Sequence, residues 1–253
     1  MIFMKASSYL LLALLAITTF CKTAEKNEVA TIAISGIVSD YPETKGHLNL
    51  MGYFVDPYMS GTIDTDGTVN LELPDDFDTI TTTAFEKYNS GGDAAYELSP
   101  MEFSDLFVDL EGLEVSGQDA QIFLAGKYYG FEIFQDEIKL GTIYPTTSLE
   151  YMGGIKKPDE STGTTGHHYV LLYLDQPISI QGEQSQTNYV NDDPDRSFTT
   201  SISYDLELQK GWNVYKHSID EYFNDDLGNF FPKSQQFITS SVDDIENWNF
   251  LPL

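Results

Sequence analysis

The chain carries one cysteine, Cys21, in 253 residues. It can form no intrachain disulfide, and it can build neither a cysteine zinc site nor a dithiol redox pair. Basic residues are scarce. The 13 Lys and Arg stand against 40 Asp and Glu, a formal net charge of −27. A surface of that sign repels phosphate backbones and anionic headgroups, so nucleic acid is excluded as a partner. Its ordinary use is to keep an exported protein in solution. Long apolar runs are also missing. The one exception, residues 9–20, is too short to cross ~30 Å of hydrocarbon. Catalytic signatures are missing as well: there is no H-E-x-x-H, no G-x-S-x-G, no Walker loop and no G-x-G-x-x-G.

What is abundant is aromatic. Tyr and Phe number 16 each, and with frequent Thr and Val they favour strands over helices. A hydrophobic fraction of 41% is enough for a sizeable core, and the length suits one large or two small domains. Alternating runs separated by turn residues recur along the chain. Residues 68–73 put Val69, Leu71 and Leu73 on one face and Thr68, Asn70 and Glu72 on the other. Residues 201–219 read as a hairpin turned at Lys210-Gly211, with Trp212 just past the turn. Further strands are expected near 29–38, 47–51, 59–63, 120–124, 128–134, 138–144, 169–174, 178–181 and 236–241, with a docked strand at the end, WNFLPL. The best helix signal is at 100–110. There Ser99 stands as N-cap, Pro100 as first helical residue and Glu102 as capping-box partner. Residues 74–93 read as a polar bridge, and 156–166 as a loop.

The N-terminus has its own logic. Lys5 precedes the apolar run, and Cys21 and a polar stretch follow it. This resembles a bacterial lipoprotein signal, in which the cysteine becomes the lipid-bearing N-terminus. Thr18, Thr19 and Phe20 stand where that family has Leu, a small residue, and Gly or Ala. The resemblance implies a leader over 1–21, a tether over 22–28, and a membrane anchor through lipid at Cys21. The other reading is plain secretion, with Thr19-Phe20-Cys21 as a small-x-small cleavage site.

Two stretches carry a second resemblance. Ser35-Gly36-Ile37-Val38 and the run from Gly61 through Asp64-Thr65-Asp66-Gly67 to Pro74 resemble immunoglobulin-like modules at the front of bacterial secreted proteins. Residues 169–175, 178–182 and 206–213 are similar to the C-terminal part of the same proteins. The implied fold is mainly β, with two β-sandwich-like units and one short helix. An immunoglobulin-like sandwich spans 29–95, and a larger sandwich-like domain spans 96–253.

Candidate chemistry is sparse. Asp64 and Asp66 suggest a calcium loop, but alignment on Gly67 puts Thr62 and Leu73 where ligands are needed. A type I′ turn at Asp66-Gly67 explains the pair without metal. Asp192, Asp193 and Asp195, or Asp75, Asp76 and Asp78, could gather oxygen ligands on loops, though clustered acids are usually solvated. Calcium is the one cofactor these residues could hold. His167 and His168 would point to opposite faces of a strand, so they cannot chelate one ion together, and His47 and His217 stand alone. Trp212, with Tyr128, Tyr129, Tyr144, Tyr151, Trp248 and Phe250, could form an aromatic platform for sugar, but a Trp beside a turn more often caps a core. The expectation is an exported envelope protein, lipid-anchored if Cys21 is processed and otherwise secreted. It would act as a non-catalytic binding or structural accessory for a glycan or protein partner. The alternative is a glycan hydrolase using two carboxylates ~5 to 10 Å apart.

Overall fold

The computed structural model describes residues 32–51, 56–91, 97–107, 109–127, 129–190, 195–225 and 227–253. Cys21, the leader and the tether lie outside them, as do Tyr128, Asp192 and Asp193. Residues 31–253 form one compact unit.

Fifteen strands and three helices are described. They run β1 (Ile32–Ser39), β2 (Gly46–Asn49), β3 (Met59–Ile63), β4 (Thr68–Leu73), α1 (Phe77–Asn89), β5 (Met101–Glu102), α2 (Phe103–Leu106), β6 (Glu114–Ser116), β7 (Gln121–Leu124), β8 (Phe131–Gln135), β9 (Ile138–Pro145), α3 (Leu149–Lys156), β10 (Gly166–Leu174), β11 (Ile178–Tyr189), β12 (Ser197–Leu208), β13 (Gly211–Asn224), β14 (Phe230–Ser240) and β15 (Trp248–Pro252). The fold is mainly β, and its strands form two sheets.

The first sheet is a closed barrel, in the order β1-β15-β9-β8-β2-β3-β4. This corrects the expectation of a sandwich for this part of the chain. β4 behaves as its alternation requires, with Val69, Leu71 and Leu73 buried. Closure comes from the far end of the sequence. β15 pairs parallel to β1 (Val38↔Trp248) and antiparallel to β9 (Trp248↔Pro145), joining the two free edges. Trp248 is completely buried, and Gly36 makes room for it. A Cβ at residue 36 would lie 2.4 Å from the indole nitrogen. The barrel therefore uses β8, β9 and β15 from beyond the expected boundary at residues 95 and 96, together with β1 to β4 from before it.

The second sheet has eight strands, in the order β5-β7-β10-β13-β14-β12-β11-β6. Its third strand, β10, serves two cores. Tyr169, Leu171 and Tyr173 join the cluster that includes the barrel interior, while Val170, Leu172 and Leu174 join a second cluster with Phe103, Phe107, Tyr204 and Tyr215. The hairpin expected over 201–219 is not formed. β14 lies between β12 and β13, parallel to one and antiparallel to the other. The short link at Lys210 crosses beyond the end of β14, where Asn213 binds both the amide (2.8 Å) and the carbonyl (2.6 Å) of Gln209.

The helix expected at 100–110 shrinks to the single turn α2. Its cap is Glu102, in a capping box with Asp105, three residues later than expected. Met101 and Glu102 are drawn into strand pairing with β7, and the helix stops at Phe107, whose backbone is extended (φ −118°, ψ 107°). The longest helix, α1, occupies the supposed polar bridge. Phe77 and Thr81 are buried, and Ile80 and Ala84 pack against the same core.

Candidate functional site

The second face of the eight-stranded sheet holds a cavity of about 260 Å³. β10 supplies His168, β13 supplies Tyr215, His217, Ile219 and Tyr222, and β14 supplies Phe230, Pro232, Gln235 and Phe237. The rim comes from the end of α3 and the following turn, through Ile155, Pro158 and Ser161, with Tyr129 and Leu106 opposite. Every described lining residue is neutral at neutral pH, in a chain of net charge −27.

Strand register creates the polar centre. In the β10–β13 pairing His168 lies directly opposite His217, and their rings sit 5.1 Å apart at 78°. His217 stacks on Phe237 at 4.2 Å, and His168 lies 5.0 Å from the ring of Tyr129. Burial pushes both imidazoles down: His217 to about 4, and His168 well below the usual histidine range. Both are therefore neutral at pH 7, since charging an imidazole away from water is costly. Burial pushes the phenols of Tyr129, Tyr151 and Tyr215 upward, which keeps them protonated.

A short chain of hydrogen bonds orients His168. The hydroxyl of Tyr151 is 3.2 Å from the carbonyl of His217 and 3.4 Å from Nδ1 of His168. A carbonyl can only accept, so the single tyrosine proton goes to it. Nδ1 of His168 then carries the hydrogen that the tyrosine oxygen accepts, and Nε2 is left with a lone pair. No described residue bonds that Nε2. His217 is fixed separately, with Nε2 3.1 Å from Oε1 of Gln235, so that this ring nitrogen donates. Tyr151 itself is placed by α3, whose N-cap Ser148 accepts the Tyr151 amide at 3.1 Å. The arrangement can accept and donate hydrogen bonds to a neutral ligand between aromatic walls. None of the described lining residues is a carboxylate, so a hydrolase using a carboxylate pair would need a different cleft.

No protein-family model, curated protein or solved structure matches the chain.

Of the residues singled out from sequence, His168, His217, Tyr129 and Tyr151 belong to this site, and the others lie elsewhere. Asp64 pairs with Lys45 at 3.0 Å, and Asp66 accepts the Thr68 amide at 2.9 Å, a bond that holds its carboxyl below the ordinary value. The turn there is not type I′. Only Gly67 has positive φ (81°), and its amide donates to the Asp64 carbonyl, giving a type I turn followed by a left-handed glycine. Asp75 and Asp76 precede α1 and Asp78 lies in its first turn, where carboxylates suit the helix dipole. Asp195 is exposed on the loop before β12. Among the described residues no three His, Cys, Asp or Glu are grouped to hold a metal ion. Trp212 is half-buried at the joint of the two sheets. Its ring packs 4.7 Å from Phe77 and 5.6 Å from Tyr173, and its Nε1 donates to the Pro74 carbonyl at 2.7 Å. His167 and His168 do point to opposite faces. His167 rests against Tyr169 on the barrel side, and His47 is exposed. The partnership of His168 with His217, across 49 residues, depends on a strand register that neither local stretch reveals.

Proposed function

We propose that the protein is an exported, non-catalytic binding protein, held at a cell envelope by lipid on Cys21, which takes a small neutral sugar into the histidine–tyrosine cavity. The observation that carries this reading is the neutrality of the cavity. Five Tyr and Phe rings and two uncharged imidazoles line it, in a chain where charged side chains are plentiful. Sugars are bound by stacking on aromatic faces and by hydrogen bonds to hydroxyls, and both kinds of group are present. His168 Nε2 accepts from a ligand hydroxyl, and Ser161 and the amide of Gln235 supply further polar contacts. At about 260 Å³ the cavity suits one sugar unit rather than a chain.

Calorimetric titration with neutral mono- and disaccharides tests the binding role. A saturable sugar is expected, and Tyr222→Ala should weaken it at least tenfold. If no neutral sugar binds, or the variant binds as tightly, the cavity is not its site. Anchoring is tested separately. Cys21→Ala should release the protein from membranes, and unchanged membrane retention would remove the lipid anchor from the reading.

A further inference from the structure

Two side-chain groups in the aromatic cavity can act in one way only. Nε2 of His168 can only accept a hydrogen bond, because Nδ1 carries the ring hydrogen towards Tyr151 at 3.4 Å. His168 is 2% exposed, so bulk water does not serve that lone pair, and an acceptor left unpaired there is costly. The side-chain nitrogen of Gln235 can only donate. Oε1 of the same amide takes the hydrogen of His217 Nε2 at 3.1 Å, which leaves both N–H groups for another partner. No described residue bonds either nitrogen. His217 keeps a further lone pair on Nδ1. The remaining polar groups of the lining are hydroxyls, of Tyr129, Ser161, Tyr215 and Tyr222, which both donate and accept and so discriminate less between ligands.

Strand order sets the spacing of the acceptor and the donor. His168 is on β10 and Gln235 on β14, with β13 between them. His217 on β13 stands opposite His168 and is bonded to Gln235. Adjacent strands lie ~4.8 Å apart, so the backbones carrying the two groups are separated by roughly 10 Å. A single ligand hydroxyl, hydrogen-bonded on both sides, spans only about 6 Å. A trans secondary amide points its N–H and C=O in opposite directions, and with a hydrogen bond at each end it spans about 8 Å. It offers one donor and one acceptor, the complement of His168 and Gln235. It also carries no charge, in keeping with a lining whose described residues are all neutral. The methyl of an acetyl group needs an apolar surface beside the amide, and Leu106, Ile155, Pro158, Ile219 and Pro232 supply one.

We infer that the cavity selects a sugar bearing an acetamido group, whose amide N–H donates to Nε2 of His168 and whose carbonyl accepts from the side-chain amide of Gln235. The inference rests on the sugar-binding reading above and narrows it to N-acetylated sugars. The sugar ring then meets the aromatic faces of Tyr222 and Phe230, whose rings stand at 87° to each other. A site whose buried polar groups are matched to an amide rejects the analogue that lacks it, because those groups are left unpaired. Glucose, with a hydroxyl in place of the acetamido group, is such an analogue.

The test is calorimetric titration of the full chain with N-acetylglucosamine, with glucose, and with N-acetylethanolamine, which carries the amide without the sugar. N-acetylglucosamine is expected to bind at least tenfold more tightly than either. Gln235→Glu keeps an acceptor for His217 and removes the donors. It should weaken N-acetylglucosamine at least tenfold and change glucose binding little, with circular dichroism showing that the variant is folded. The selectivity of the wild-type chain decides the matter on its own if the variant does not fold. The inference is overturned if glucose binds as tightly as N-acetylglucosamine, if N-acetylethanolamine binds as tightly as the sugar, or if Gln235→Glu weakens both sugars equally. In the first case the cavity still takes neutral sugars and only the acetamido assignment falls. If no neutral sugar binds at all, the broader reading falls with it.

Discussion

Two imidazoles buried side by side make the molecule sensitive to mild acid. An unfolded histidine titrates near pH 6.5, whereas burial holds His217 down to about 4. Between those values the unfolded chain binds more protons than the folded one. The stability contributed by neutral His217 is therefore complete above about pH 6.5 and is lost as the pH falls towards 4. From pH 7.5 to pH 5 the loss from this residue is about 2 kcal/mol, and His168 acts in the same direction. Urea titrations at the two pH values should show a drop of at least that size. His217→Gln, which cannot titrate, should reduce it by about the same amount; an unchanged slope would mean that His217 is protonated in the fold. Gly36 gives a second test at this scale. The Cβ of an alanine would meet the indole of Trp248 at 2.4 and 2.6 Å, and that ring is fully buried. Overpacking of this kind costs about 1 to 3 kcal/mol, so Gly36→Ala should lower the urea midpoint clearly, while Gly153→Ala, with open space around it, should not. Neither effect is visible in the sequence, where Gly36 lies within an expected strand and His217 stands alone.

At the scale of elements, local patterns specify strands but not partners. β4 was legible because its alternation faces one core, and its burial follows the pattern residue by residue. The terminal strand β15 was legible from its aromatic run. The supposed hairpin at 201–219 shows the limit. Both strands exist, but β14 inserts between them, because the chain turns back after β13, where the Asp225 amide donates to the Asn229 carbonyl, and pairs along it from Phe230. Helix α1 was missed for a related reason. Thr79, Thr81, Thr82 and Thr83 weaken its intrinsic preference, and the helix forms because Phe77, Ile80 and Ala84 find a core. Its i, i+3, i+7 spacing was the available signal. The crossing between β12 and β13 depends on Asn213, which substitutes its side-chain amide for the missing strand pairing at Gln209. Asn213→Ala leaves those two backbone groups without their partner and should cost about 1 to 2 kcal/mol. Hydrogen exchange at the Gln209 amide should speed up in the variant; unchanged protection would show that the crossing is held by other contacts.

At the scale of the molecule, the barrel and the eight-stranded sheet share one body because the chain weaves between them. β1 to β4 begin the barrel, β8 and β9 continue it, and β15 closes it only after β10 to β14 have formed the second sheet. Phe77 on α1, Tyr173 on β10 and Trp212 on β13 then lock the two sheets at a common aromatic joint. A chain threaded in this way cannot unfold its front half alone without opening the barrel seam at β1 and β15. Residues 31–253 should therefore unfold in one cooperative transition. The chain's two tryptophans report on both ends of that claim, Trp248 from inside the barrel and Trp212 from the joint. In Trp212→Phe the remaining fluorescence follows the barrel, and in Trp248→Phe it follows the second sheet. Within each variant the fluorescence midpoint in urea should coincide with the far-ultraviolet circular dichroism midpoint. Separate midpoints in either variant would instead describe two independently folding parts, the arrangement that a boundary near residue 95 would have required.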